Sequence, residues 1–367
     1  MSSGDILLVP DLALERWPSM DRYADAIARR LPQVQVPVEA ASMGGARYLA
    51  RYVRYPRALA RYHPKLVHIA DHSYAHCLRA FPGVPSVVTI HDLFPVHTLA
   101  RREPGVRAWV RDTLLRRVLA WLERADLVIS ATRFVAAETT RLLGIPASRI
   151  RIAGYGVDDA FFAPLDQRDR GLRRAKWIEQ LGRNSGKQRL IVLHVGSCAP
   201  RKNIEAVIAT VAELRRRGNT NAALVQVGGR FTPQQLHQIE ELGLAGSVIQ
   251  EQVASDAELI AAYNAANVLL LPSHYEGFGL PALEALAAGL PVVTSGVGGL
   301  AEAASDQAMV VNPPEPAGLA DAIESLPTDS DLRVAEAERR RAWARQFSWN
   351  RSAEEHAKVY DELRSRA

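Results

Sequence analysis

The stretch 268–289, reading VLLLPSHYEGFGLPALEALAAG, constrains the fold of this chain more than any other. Val268–Leu271 is a short apolar run of strand type, closed by Pro272 and Ser273. A loop carrying Gly277 and Gly279 follows. Pro281 then sits where a first helical position is expected, residues 282–288 are good helix formers, and Gly289 supplies a stop. A strand, loop and helix in this order present unpaired amides and the positive end of a helix dipole together, which suits an anionic ligand. The glycines let backbone approach that ligand without a Cβ in the way. Two carboxylates bracket the loop, Glu276 before the glycines and Glu284 about one turn into the helix. Neither belongs against phosphate, so both are expected to accept hydrogen bonds from hydroxyl groups on either side of it.

Glu276 and Glu284 stand in EGFGLPALE with seven residues between them, and the chain runs on into GLPVVTSGVGGLAE. This pattern resembles the signature of the family-4 retaining glycosyltransferases of the GT-B fold, the bacterial glycosyl transferases of group 1 type. The alternative is an ordinary Rossmann turn with solvated acids. The resemblance implies two Rossmann-like, doubly wound parallel-sheet α/β domains facing a cleft. It also implies a nucleotide-diphosphate sugar, GDP- or UDP-linked, as donor substrate, with no further cofactor. Glu276 would hold hydroxyls of the donor sugar and Glu284 the ribose, while Gly277, Phe278, Gly279 and Leu280 would meet the diphosphate.

A chain of 367 residues suggests two domains, and 48% hydrophobic with 23% charged residues describes a folded globular protein. No apolar run reaches the length of a membrane span, and MSSGDILLVP lacks the regions of a signal peptide, so a cytoplasmic location is expected. The two cysteines, Cys77 and Cys198, form no ligand spacing and fit a reducing compartment. The net charge of +5 is unevenly spread: residues 40–70 hold six Lys or Arg and no acid.

Along the first half, strands are expected at Ile6–Val9, 66–70, 87–90, Leu127–Ser130 and 150–153. Met20, Tyr23, Ala24, Ile27 and Leu31 recur at helical spacing. Val106, Trp109, Val110, Leu114, Val118 and Trp121 mark one face of a long helix. Alternation of this kind implies a parallel sheet covered by helices. It lapses after Gly156, Val157 and Asp158, a segment similar to one found near the crossover in the family. The expected division is 1–165 as an acceptor-binding domain, 166–188 as a charged linker holding at most one short helix, 189–345 as the nucleotide-sugar domain, and 346–367 as a helix crossing back. The second series begins with Leu190–Gly196, a helix over 203–217, a strand over 223–227, a helix over 233–242, a helix capped by Asp256, and a strand over 291–294.

In HVGSCAPRKN, Arg201 and Lys202 put cations at a helix start where the dipole favours anions, a conflict that a bound diphosphate would resolve. Lys202 matches a family position on the donor diphosphate. Ser197 stands where many members carry an arginine, and Gly229 ends the next strand beside it. His91 follows the strand of TIHDLFP and resembles the family histidine that reaches the donor sugar; the bland alternative is a capping or core histidine. By the resemblance, Glu276, His91 and Lys202 form the catalytic set. Asp71 and His72 follow another strand, and Trp17 and Ser19 occupy the early loop where members usually carry paired glycines; these four are the acceptor candidates. His68, His72 and His76 are four apart, but His68 belongs to a strand and the ladder makes no metal site. The D-x-D at Asp329 and Asp331 lies in a polar loop and reads as accidental, so no metal site is expected.

Arg47, Arg51, Arg54, Arg57 and Arg61 project within about a third of a helical wheel, flanked by tyrosines. They suit an anionic membrane surface on the cytoplasmic side, or else form a solvated face. The function the resemblance implies is retaining transfer of a hexose, of mannose or glucose type, to a hydroxyl acceptor; the arginine face suggests a lipid-linked or cell-envelope saccharide as that acceptor, and no role for nucleic acid is expected. The alternatives are a non-catalytic nucleotide-sugar-binding scaffold and a GT-B phosphorylase or epimerase.

Overall fold

The computed structural model of the chain describes residues 5–15, 17–99, 105–163, 167–182 and 189–366. They form two compact units, Met1–Gly156 together with Ser348–Ala367, and Val157–Phe347. Each is built on a parallel six-stranded sheet. The first sheet contains β1 (Ile6–Val9), β2 (Val34–Gln35), β3 (Leu66–Ile69), β4 (Ser86–Ile90), β5 (Leu127–Ser130) and β6 (Ile150–Ile152), in spatial order β2-β1-β3-β4-β5-β6. The second contains β7 (Leu190–Gly196), β8 (Ala222–Gly228), β9 (Val248–Glu251), β10 (Val268–Leu271), β11 (Val292–Thr294) and β12 (Met309–Val310), in order β12-β11-β10-β7-β8-β9. The inner strands are mostly apolar because helices cover both faces of a parallel sheet, and all four residues of β1, β3, β5 and β10 are buried, His68 and Ser130 being the polar ones.

The strand order fixes where each sheet opens. In the first, the chain lays β2 on one side of β1 and then adds β3 to β6 on the other. In the second, β8 and β9 go to one side of β7 and β10 to β12 to the other. Winding therefore reverses between β1 and β3 and between β7 and β10. Loops diverge at the carboxyl ends of such neighbouring strands and leave a crevice, the usual ligand position in open α/β sheets.

The units divide elsewhere than the sequence suggests. The chain leaves the first unit at Gly156, not near residue 165, and returns at Ser348. A Cβ on Gly156 would lie 2.0 Å from the Trp349 nitrogen, so the outgoing and returning segments touch backbone to backbone. Of the expected linker, 166 and 183–188 fall outside the described residues, but Gln167–Gln180 is a helix of the second unit. Trp177 explains this: it is fully buried and its indole N–H donates to Glu251 at 2.9 Å, while Arg174 donates to the Ala265 carbonyl at 2.6 Å.

Smaller departures have local causes. Ser255, not Asp256, caps the Asp256–Ala265 helix, accepting the Glu258 amide at 3.3 Å. Along Val106–Leu119 the expected apolar face is buried only at Val118; Trp109 and Val110 are exposed, and the side chain of Val106 lies outside the described residues. Asp329 of the D-x-D caps the Ser330–Ala344 helix, accepting amides of Asp331 and Leu332 at 3.0 and 2.9 Å. The Trp349–Arg366 helix enters the core of the first unit through a buried polar network. Tyr360 Oη pairs with His68 Nδ1 at 2.8 Å and His356 Nε2 with Tyr23 Oη at 2.7 Å, while Thr89 Oγ1 meets both Tyr23 and His68 at 2.8 Å.

Candidate functional site

In the second unit the loops after β7 and β10 are stitched together. Asn203, in the left-handed region at φ 53°, donates its side-chain amide to the Pro272 carbonyl at 3.0 Å. The His274 amide donates to the Arg201 carbonyl at 2.8 Å. This brings Arg201 and Lys202, from one strand end, to Glu276, from the other. Lys202 Nζ donates to Glu276 Oε1, Arg201 Nη1 lies 3.4 Å from Oε2, and Ser273 Oγ donates to Oε1 at 2.9 Å. Burial alone would push the Glu276 carboxyl up, but Lys202 and then Arg201 outweigh it and hold the group below its ordinary value. Sequence reasoning gave Lys202 to a diphosphate and Glu276 to a sugar; here they are also each other's counter-ions. A diphosphate approaching Lys202 and Arg201 must share them with Glu276, and its negative charge would in turn free carboxylate lone pairs for hydroxyl donors.

Gly279 precedes the Leu280–Ala287 helix at φ 97°, and a Cβ there would stand 2.6 Å from Leu300 Cδ2. Only glycine fits that turn; Pro281 has no N–H and the Ala282 and Leu283 amides donate to the Gly279 carbonyl at 2.9 and 3.3 Å, so the amides that could meet an anion at this helix start are those of Gly279 and Leu280. Pro281 is the second helical residue, one later than expected. Gly277 is pinned by Gly299, where a Cβ would fall 2.2 Å from the Gly277 oxygen. Phe278 turns its ring into the core, edge-on to Phe347 at 6.3 Å between centroids, so what it can offer a ligand is backbone. Glu284 is buried and accepts the Tyr263 hydroxyl at 2.8 Å. Ser197 is exposed beyond β7, and the Gly229 amide donates to the Gly196 carbonyl at 2.8 Å, locking the ends of β7 and β8.

Two neighbours of this site carry no signal in the sequence beyond their residue type. Tyr263, on the Asp256–Ala265 helix, fixes one oxygen of Glu284. His194, inside β7, pairs Nδ1 with Gln226 Oε1 at 2.7 Å. Gln226 donates its amide to the Gly196 and Val227 carbonyls at 2.8 and 3.2 Å, so its oxygen must accept and the His194 proton sits on Nδ1. Burial, then the Lys202 charge, pull this imidazole down to about 4, and it is neutral.

In the first unit, Asp71 and His72 follow β3 and His91 follows β4, all buried. His91 Nε2 donates to the Ala70 carbonyl at 2.7 Å and its Nδ1 meets the Tyr155 hydroxyl, so neither ring nitrogen is uncommitted. Burial lowers its pKa, against the pull of Asp71. Trp17 is half-buried with the Arg51 guanidinium 5.9 Å from its ring, while Ser19 is exposed in the first turn of Pro18–Arg30.

The arginine row is not the continuous face the wheel suggests. It runs through Arg47–Leu49, a π-helical turn at Ala50–Arg54, and Tyr55–Leu59, with Pro56 accommodated by the break. Arg51 points inward, 3.2 Å from Glu15 and 2.6 Å from the Ser73 carbonyl. Arg47 pairs with Glu15, Arg61 with Glu39, and Arg54 with the Gly44 carbonyl at 2.8 Å. Four of the five thus have partners inside the unit.

Comparison with known proteins matches residues 12–161 to the model of Glycosyltransferase Family 4 and 174–344 to that of Glycosyl transferases group 1. The chain is 34% identical over 315 residues to glycogen synthase of Mycobacterium tuberculosis, across 81% of this chain and 68% of that protein. It is 31% identical over 296 residues to D-inositol 3-phosphate glycosyltransferase of Salinispora arenicola, across 76% of this chain and 64% of the relative's length. Among solved structures, HepE of Anabaena in complex with UDP and glucose superposes with a TM-score of 0.73 at 18% identity, covering 98% of this chain and 99% of that one.

Proposed function

We propose, for a chain that belongs to glycosyltransferase family 4 and has the GT-B fold, that it transfers a hexose from a nucleotide-diphosphate sugar to a hydroxyl acceptor with retention of configuration. The observation that carries the reading is the buried Glu276 carboxylate held ionised by Lys202 and Arg201, near the Gly279 and Leu280 amides where the Leu280–Ala287 helix starts. Leaving-group charge would fall on Lys202, Arg201 and those amides. Glu276 would accept from sugar hydroxyls and stabilise positive charge developing on the ring. Glu284, oriented by Tyr263, would accept from the ribose. His91 enters as a positioning group, its ring fixed by Ala70 and Tyr155 beside Asp71, 3.9 Å away. No side chain is assigned as covalent nucleophile; retention would follow from internal return, with the departing phosphate as base.

A UDP-linked glucose is the first donor to try, since a whole-length structural neighbour is solved with UDP and glucose and one relative is a glycogen synthase. The buried free thiols Cys77 and Cys198 fit the cytoplasm, where we place the reaction. The test is thermal stabilisation by a panel of UDP- and GDP-hexoses, followed by nucleotide release. One donor that stabilises the native chain, and does so less with Glu284→Ala, supports the reading. Binding without nucleotide release would mean a scaffold, and free phosphate acting as co-substrate would mean a phosphorylase.

A further inference from the structure

The reversal of the first sheet, between β1 and β3, where open α/β sheets bind ligands, carries a second set of buried polar groups with a different character. Val9 and Ile69 are register partners, and Asp11 and Asp71 each follow two residues later, so the two acids leave adjacent strand ends on the same side. Asp71 is provided for: Oδ1 accepts the Ser73 amide at 2.6 Å and lies 3.8 Å from His72 Nδ1, and Oδ2 lies 3.9 Å from His91 Nε2. Asp11 is not. It is only 5% exposed, and neither carboxyl oxygen has a hydrogen-bond partner among the described residues. Buried polar groups are nearly always paired, and one left orphaned inside a sheet's binding crevice calls for a ligand.

The surroundings restrict the chemistry of that ligand. Arg51, the cation whose charge reaches Asp11, is committed to Glu15 and to the Ser73 carbonyl, and it stacks 4.4 Å over the Tyr74 ring. Glu15 takes Arg47 as well. A phosphate entering here would meet two carboxyls and no uncommitted cation among the described residues. Hydroxyl groups meet what they need: lone pairs on Asp11 and Asp71, and ring nitrogens at His72.

We propose that Asp11, together with Asp71, hydrogen-bonds hydroxyl groups of the acceptor, and that the acceptor moiety seated at this strand reversal is an uncharged polyol rather than a phosphate ester. Asp11 is then a specificity-determining residue. The inference rests on the glycosyltransferase reading and narrows it, for the family includes a relative named for a phosphorylated acceptor, D-inositol 3-phosphate. The titration of the two groups agrees. Burial, then the Asp71 charge, push Asp11 well above the carboxylate range. Burial would raise Asp71 too, but His72 and His91 outweigh it and keep it ionised. One acid then offers a proton while the other only accepts, which matches a hydroxyl that does both.

The experiment is steady-state nucleotide release by the full chain, with the stabilising donor and paired acceptors: methyl glucoside, methyl mannoside and myo-inositol, each beside its phosphate monoester. A neutral acceptor should be used at least about tenfold better than its phosphate ester, because like charge is expelled from such a site. Asp11→Asn should raise the acceptor KM roughly tenfold or more, the loss of the hydrogen bond that the Asp11 carboxyl makes to an acceptor hydroxyl, with the larger change in acceptor rather than donor KM. Equal or better use of phosphate esters, use of neither class, or an unchanged acceptor KM in Asp11→Asn overturns the proposal. If no nucleotide sugar stabilises the native chain, the glycosyltransferase reading falls and this inference with it. Donor binding with an unchanged acceptor KM removes the inference alone.

Discussion

The two sheets reverse their winding in the same way, yet the crevices at the two reversals are prepared in opposite senses. At β7/β10 a buried acid, Glu276, is answered by Lys202 and Arg201 from the neighbouring strand end. At β1/β3 the buried acids Asp11 and Asp71 stand together, while the nearby cation Arg51 is spent on Glu15. Topology dictates where a ligand binds in such a sheet, and the loop residues dictate what charge it carries. The first arrangement suits a diphosphate with sugar hydroxyls attached; the second suits hydroxyls alone.

The largest effect should come from breaking the compensated crevice. Lys202→Met leaves Glu276 buried with its closest cation gone, which should cost about 3–5 kcal/mol of stability by urea unfolding. Adding Glu276→Gln should recover much of that loss although donor binding stays poor; a double variant no more stable than Lys202→Met would show that the pair does not share a charge balance. Next in size, Glu284→Ala should weaken donor binding by about 1.5–3 kcal/mol, read by titration calorimetry. It leaves the Tyr263 hydroxyl unpaired as well, so Glu284→Ala with Tyr263→Phe should be more stable than Glu284→Ala alone.

The sharpest contrast is in sign. Removing the orphaned acid by Asp11→Asn should stabilise the protein at neutral pH by about 1 kcal/mol, where Lys202→Met destabilises it. The pH dependence follows from linkage. A carboxyl raised in the folded state favours folding when protonated, so its contribution is lost as pH rises from the unfolded value through the folded one. Glu276, depressed in the folded state, contributes above the unfolded value and loses that contribution as pH falls through its folded value. Asp11→Asn should therefore flatten the decline of Tm with rising pH, and Glu276→Gln should flatten its decline on acidification. An Asp11→Asn curve parallel to the native one would mean that Asp11, with Asp71, Glu15, Asp21 and Arg51 around it, is not raised. The smallest effect belongs to the outer arginines: Arg57→Glu, on an exposed site, should shift stability by less than about 0.5 kcal/mol. The same variant tests the peripheral-membrane expectation through sedimentation with anionic vesicles, where one charge should count for about 1 kcal/mol.

How much of this was legible in the sequence depended on how a residue announces itself. β1, β5, β7 and β10 appear where they were read, because a strand buried on both faces is a mostly apolar run, interrupted here only by His194 and Ser130. β2, β9 and β12 were missed: β2 and β12 are two residues long, with β12 exposed and β2 partly so, and β9 buries only Ile249 of its four residues, so none holds a pattern. Glu276, Lys202 and Glu284 could be singled out because spacing, glycines and a helix start surround them, although their mutual pairing could not. Asp11, His194 and Tyr263 have no such frame. A single polar residue after a strand or on a helix becomes notable only when its neighbours are known. The arginines misled in the other direction: a helical wheel places side chains around an axis but does not say which have acids waiting beneath, and Arg51 finds Glu15 on a short 3-10 turn 36 residues upstream.

The return of residues 348–367 to the first unit sets an order on synthesis. A ribosome releases most of the first sheet early, then must produce the whole of the second unit before His356 and Tyr360 exist to meet Tyr23 and His68. Until then Tyr23 and His68 have Thr89 but lack their partners on the last helix, and the groove for that helix stands open. The unit that starts being made first is finished second, and during that interval it is the part of the newborn chain most in need of a chaperone.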